Sequence, residues 1–170
     1  MANIIREHRI IDNNKRALIK YVLISDGTAE SNSKLIDAST LSGALNVNNQ
    51  LMVSNTHPKT NYRTTIKRVF GLAKANGYFT LNWQGDSNSE IVTVSNGGFD
   101  YNFENTGDNA VIPNPEANAT GDILLTSYNN KAGDSFTLFI DLRKNSEDYH
   151  AGQFTDPVAF NRGPAALWKI

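Results

Sequence analysis

Three consecutive stretches of this chain alternate polar and apolar residues with a period of two, and Gly and Asn build the turns between them. Residues 78–84 place Phe79, Leu81 and Trp83 on one face and Thr80, Asn82 and Gln84 on the other. Residues 90–95 form the next run, and Asn96-Gly97-Gly98 leads into Phe99, Tyr101 and Phe103 alternating with Asp100, Asn102 and Glu104. Successive side chains of an extended strand point to opposite sides, so each run has one apolar face that must be covered. The pattern predicts three strands in a meander, with Phe79, Leu81, Trp83, Phe99, Tyr101 and Phe103 buried together.

The rest of the chain reads similarly. Residues 16–25 are the most apolar run and carry apolar residues at both parities, which predicts a central strand covered on both faces, with a buried helix as the rival. Residues 63–70 alternate Ile66, Arg68 and Phe70 against Thr65, Lys67 and Val69, and Asn76-Gly77 is a strong turn dipeptide. Residues 122–128 and 136–143 are further strands, the latter turning Phe136, Leu138, Ile140 and Leu142 inward. Residues 51–53 suggest a short strand. One or two helical turns are expected within 35–45, capped near Asp37. Residues 105–121 form a long polar connection. Twenty-two asparagines among the 170 residues favour turns over helices.

Seven or eight short antiparallel strands imply an all-β fold, an antiparallel β-sandwich of jelly-roll type, with a barrel as the alternative. The expected organisation is a single domain over 1–170, with its core at about 10–144. An extended N-terminal arm precedes it, and an irregular C-terminal arm spans 145–170. Charged residues are only 19% of the chain and the net charge is −1, so neither nucleic acid nor an anionic membrane is an expected partner. No apolar run approaches the roughly 20 residues of a spanning helix. Without cysteine there is no thiolate nucleophile, thiolate metal site or disulfide.

No catalytic motif, metal or cofactor is expected. His8, His57 and His150 lie far apart in loops or arms. Asp141 with Glu147, Asp148 and His150 is the one acidic cluster near a strand end, and it reads better as a solvated, salt-bridged end than as a carboxylate pair or cation site. Asp108, Glu116 and Asp122 lack the dense oxygen spacing of a calcium loop. Trp83, Tyr101 and Phe79 share the inward parity, which favours core packing over a sugar platform. Lys59, Arg63, Lys67 and Arg68 form the basic stretch, read as a solvated face or a docking patch for an acidic partner. The C-terminal arm carries Phe154, Phe160, Arg162 and Trp168 in an Ala/Pro/Gly-rich context, and these are the expected interaction residues, docking on a neighbour or on their own sandwich.

Several segments resemble small structural proteins of the tailed bacteriophages of aquatic bacteria. They are Ile10-Ile11-Asp12-Asn13-Asn14-Lys15-Arg16-Ala17-Leu18, Tyr62-Arg63-Thr64-Thr65-Ile66-Lys67-Arg68, Asn82-Trp83-Gln84-Gly85-Asp86-Ser87, Phe139-Ile140-Asp141-Leu142-Arg143-Lys144 and Ala159-Phe160-Asn161-Arg162-Gly163-Pro164. The resemblance spans nearly the whole chain and transfers no functional residue. It implies a virion component without enzymatic activity, made in the host cytoplasm. The expected role is a capsid cement or decoration protein bridging capsid subunits, working as a homo-oligomer, with a trimer seated at capsid three-folds. A neck or tail component is the close alternative, a glycan-binding β-sandwich module a more distant one, and an enzyme acting on polysaccharide the weakest.

Overall fold

The alternating runs become strands, but their order in space is nested rather than sequential. The structure, a computed structural model, describes residues 3–53, 57–105, 112–113 and 119–150. Its strands are β1 (Ile4–Asp12), β2 (Arg16–Asp26), β3 (Ser33–Ile36), β4 (Thr64–Lys74), β5 (Tyr78–Trp83), β6 (Ser89–Val94), β7 (Gly97–Asn102), β8 (Ile112–Pro113), β9 (Ile123–Tyr128) and β10 (Ala132–Lys144). One sheet runs β1-β2-β10-β4-β7, with β8 also on β4, and the other runs β3-β9-β5-β6. Every pairing is antiparallel. Within them β2 meets β10, β3 meets β9, β4 meets β7 and β5 meets β6, so the chain behaves as one long hairpin with β5–β6 at its tip. The pairings β10–β4 and β9–β5 then close the two sheets.

Packing follows from parity. Ala17, Ile19, Tyr21 and Leu23 of β2 and Phe136, Leu138, Ile140 and Leu142 of β10 are buried. They join Phe79, Leu81 and Trp83 of β5 and Ile123 and Leu125 of β9 in one apolar cluster. Phe79 meets Phe136 edge-on across the layers, ring centroids 4.8 Å apart. The all-β sandwich expected from the alternation is the observed architecture.

Several local expectations are corrected. The meander breaks after β6, because residues 95–96 carry the chain to the first sheet, where β7 pairs with β4. Gly97 opens β7 at φ 118°, a conformation that suits glycine. Asn76-Gly77 likewise passes the chain from β4 in one sheet to β5 in the other; a Cβ at Gly77 would collide with the Tyr128 carbonyl. At the outer strand β7, the last of its sheet, Phe99 is only partly buried and Tyr101 is exposed. Phe103, in a 3-10 turn beyond β7, is also only partly buried.

Nor is β2 covered on both faces. Its odd positions are buried, while Leu18, Lys20 and Val22 are half-buried and Ile24 is exposed on the outer face. Only a single 3-10 turn, Ala38–Thr40, forms within 35–45, because Leu35 and Ile36 are taken into β3; Asp37 caps it, accepting from the Ser39 amide. Buried tyrosines hold that segment instead. The hydroxyls of Tyr21, Tyr62 and Tyr149 donate to the carbonyls of Leu35, Leu45 and Ala38 at 2.8, 2.6 and 2.9 Å. Residues 51–53 contribute one isolated bridge, Leu45 to Leu51. The N-terminal arm is strand from Ile4, and Tyr149 carries the core past residue 144.

Trp83 is 1% exposed, so Trp83→Ala should destabilise the protein by about 3–5 kcal/mol, the usual range for truncating a large buried aromatic. Urea unfolding measures this; a loss below about 1 kcal/mol would show that the β5 register is wrong.

Candidate interaction surface

The residues with chemical potential are mostly committed to one another. Asp141, expected to be solvated, is buried on the outward parity of β10 because Arg16 covers it; Nε and Nη2 of Arg16 donate to its two oxygens at 2.8 and 2.6 Å. Asp148 is also buried. It accepts from the Arg63 amide at 2.9 Å, from the Arg63 guanidinium at 2.8 Å and from Lys59 Nζ at 3.4 Å. Glu147 shares Arg63 at 2.6 Å. The acidic cluster is thus two separate salt-bridged sites, each with its own arginine. Asp122 is buried too, accepting from the Ala38 amide and paired with Lys34 at 2.6 Å. Asp108 and Glu116 lie outside the described residues. Among the described residues, no three His, Asp or Glu side chains come together as a metal site.

The basic stretch is neutralised by the same logic. Besides Lys59 and Arg63, Lys67 meets Glu104 at 2.7 Å and Arg68 meets Asp100 at 2.5 Å. Four cations in sequence therefore do not make an unpaired basic patch. A cleft of about 490 Å³ at the end of the first sheet is lined by Lys15, Arg63, Thr65 and Arg143 among others. Of the aromatics read as a possible sugar platform, Phe79 and Trp83 face the core and Tyr101 is exposed. Phe154, Phe160, Arg162 and Trp168 lie outside the described residues.

What parity alone missed is the outer face of the first sheet. Phe70 and Phe139 sit opposite each other there, stacked with centroids 4.7 Å apart and planes within 2°. Arg68 lies over Phe70 and Lys20 beside Phe139, at 4.6 and 5.8 Å from the ring centroids. The neighbouring row, Val22–Thr137–Leu72, includes Leu72 at 58% exposure, and Ile24 sits one row further along β2. A bulge explains the miss. Asp141 pairs with Arg68 but Leu142 pairs with Ile66, so Lys67 is an extra residue and the parity of β4 reverses. Ile66 and Val69 therefore face in, and Phe70 faces out. The other sheet exposes a second stacked pair, Tyr78 and Tyr128, at 4.7 Å. The first sheet ends in β1, whose Ile4, Ile5 and Ile10 are all exposed.

Comparison of the chain with protein-family models, with curated proteins and with solved structures finds no match.

Burial raises the pKa of Asp148, but the hydrogen bonds and charge of Arg63, with the charge of Lys59, outweigh it and hold the carboxyl below its ordinary value of 3.8. A depressed aspartate pKa contributes stability that is present above the ordinary value and lost as pH falls through the folded one. Asp148→Asn should therefore cost about 1.5–3 kcal/mol at neutral pH, the scale of hydrogen bonds to a charged group. Its deficit against wild type should shrink as pH drops below the ordinary aspartate value. Thermal melts from neutral to acid pH check this, and a deficit constant with pH would contradict it.

Proposed function

We propose that this chain is a non-enzymatic virion structural protein of a tailed bacteriophage, a capsid cement or decoration protein bridging capsid subunits. The observation that carries the reading is the combination of a sandwich whose acidic cluster and basic stretch are salt-bridged within the chain with an outer sheet face that, among the described residues, presents the stacked, half-buried Phe70 and Phe139 between Arg68 and Lys20, beside exposed Leu72 and Ile24. Such a face fits a protein surface better than a small molecule. The nested strand order supports reading the sandwich as a jelly roll, an architecture shared by viral capsid and lectin domains. The sequence resemblance supports the virion over other settings. Self-association and contact with the major capsid protein are the partners this role requires, and a neck or tail position is its close variant.

A glycan-binding module is the second reading, favoured by the exposed Tyr78–Tyr128 pair. The two rings stack on each other, which leaves less free ring face for a sugar, and Trp83 points inward.

Quantitative mass spectrometry of gradient-purified particles from a phage encoding the chain tests the proposal. The chain should be present in fixed proportion to the major capsid subunit. Abundance in the lysate with absence from particles would overturn it. Specific retention on a glycan array, lost in Tyr78→Ala, would favour the second reading.

A further inference from the structure

β1 is an edge. Its whole register is with β2, and among the described residues no strand pairs with its other side. A long exposed edge presents unpaired backbone groups, which proteins usually blunt or use. Here the edge runs nine residues, Ile-Ile-Arg-Glu-His-Arg-Ile-Ile-Asp, and its first seven are all exposed. It is neither short nor proline-capped; its charges at Arg6, Glu7 and Arg9 and the bulge between Arg9 and Ile11 oppose an unmatched partner, so the strand that fits it is one of complementary charge.

The sequence of β1 is complementary to itself in one arrangement. Two antiparallel copies related by a two-fold axis perpendicular to the sheet must place residues of the same parity opposite each other, so the axis passes through a single residue. An axis at Arg6, Glu7 or Arg9 sets a like charge directly against its own copy, which is destabilising. An axis at Ile5 sets Ile4 against Arg6 and brings no opposite charges together, and one at Ile10 falls on the bulge between Arg9 and Ile11. An axis at His8 sets Glu7 opposite Arg9 on both sides, the regular ladder running from Glu7 to Arg9 and ending at the bulge, where Ile10 is the extra residue. The charged pair is also held in place beforehand. Arg9 already donates to Glu7 at 2.5 Å, to Asp12 at 3.0 Å and to the Thr40 carbonyl at 2.9 Å, so two copies would close a ring of alternating charges with little further ordering.

We propose that two copies of this chain join through their β1 edges, antiparallel about a two-fold axis at His8, fusing their first sheets into one. The inference rests on the edge and its charges and is independent of the virion reading. A three-fold assembly would need another surface.

The chain contains no cysteine, so a substituted one is a clean reporter. Directly opposed residues of an antiparallel pair lie about 4.5–5.5 Å apart at Cα, within disulfide reach. Position 6, offset by four residues along the strand from its own copy, would be roughly 14 Å away. Light scattering should give the wild type twice the 18.7 kDa chain mass. His8→Cys should oxidise to a covalent dimer and Arg6→Cys should not. Arg9→Glu should weaken dimerisation at least ten-fold while circular dichroism shows it folded, and the double swap Glu7→Arg with Arg9→Glu should restore it. A wild type that stays monomeric at its highest soluble concentration would overturn the proposal, as would cross-linking at position 6 rather than 8.

Discussion

The structure depends on β10. It is the longest strand, and it pairs with β2 along one side and β4 along the other, so both halves of the first sheet are held through it. Its even positions from Phe136 to Leu142 supply the core, and a one-residue slip would turn that whole set outward. The strand ends on Lys144, whose side chain is fully buried and faces the same way. Its ammonium donates to Asp12, to the Asn13 carbonyl and to the Ser42 carbonyl, and lies 5.1 Å from the Tyr149 ring. Burial draws its pKa below the ordinary lysine value while Asp12 pushes it back. These contacts fix the register of β10 against the β1–β2 turn and the 42–43 loop, because a buried ammonium left without acceptors would be costly.

The strands and the sandwich were legible because period-two alternation survives in any half-buried strand. Asp37 as a cap was legible for a similar local reason. Where strands pair was not, since a Gly/Asn turn looks the same whether it closes a hairpin or crosses between sheets. The 76–77 and 96–97 turns both cross. One bulge, at Lys67, reversed parity in β4, which hid Phe70 on the outer face and obscured the Phe70–Phe139 stack. The charge constellations failed differently: Asp141 finds Arg16 and Lys144 finds Asp12, partners more than a hundred residues away that only the nested pairing brings close.

That long-range neutralisation shapes the functional reading. The acidic cluster was expected as a solvated, salt-bridged strand end and the basic stretch as a solvated face or docking patch; the fold salt-bridges both and buries Asp141 and Asp148. What the described surface leaves available includes the phenylalanine stack with its flanking Arg68 and Lys20, the exposed Leu72 and Ile24, and an unpaired, charged strand edge. Such features gain most by meeting another protein surface of similar shape, at roughly 25 cal/mol per Å² of apolar area before association costs.

A density map of the phage particle, at a resolution that separates β-strands, tests the proposed role as a virion assembly protein most directly. The account predicts two-layer β-density outside the capsid floor, with the outer face of the first sheet against a neighbouring subunit. Density for the chain that stands clear of every neighbour, with that face open to solvent, would contradict it.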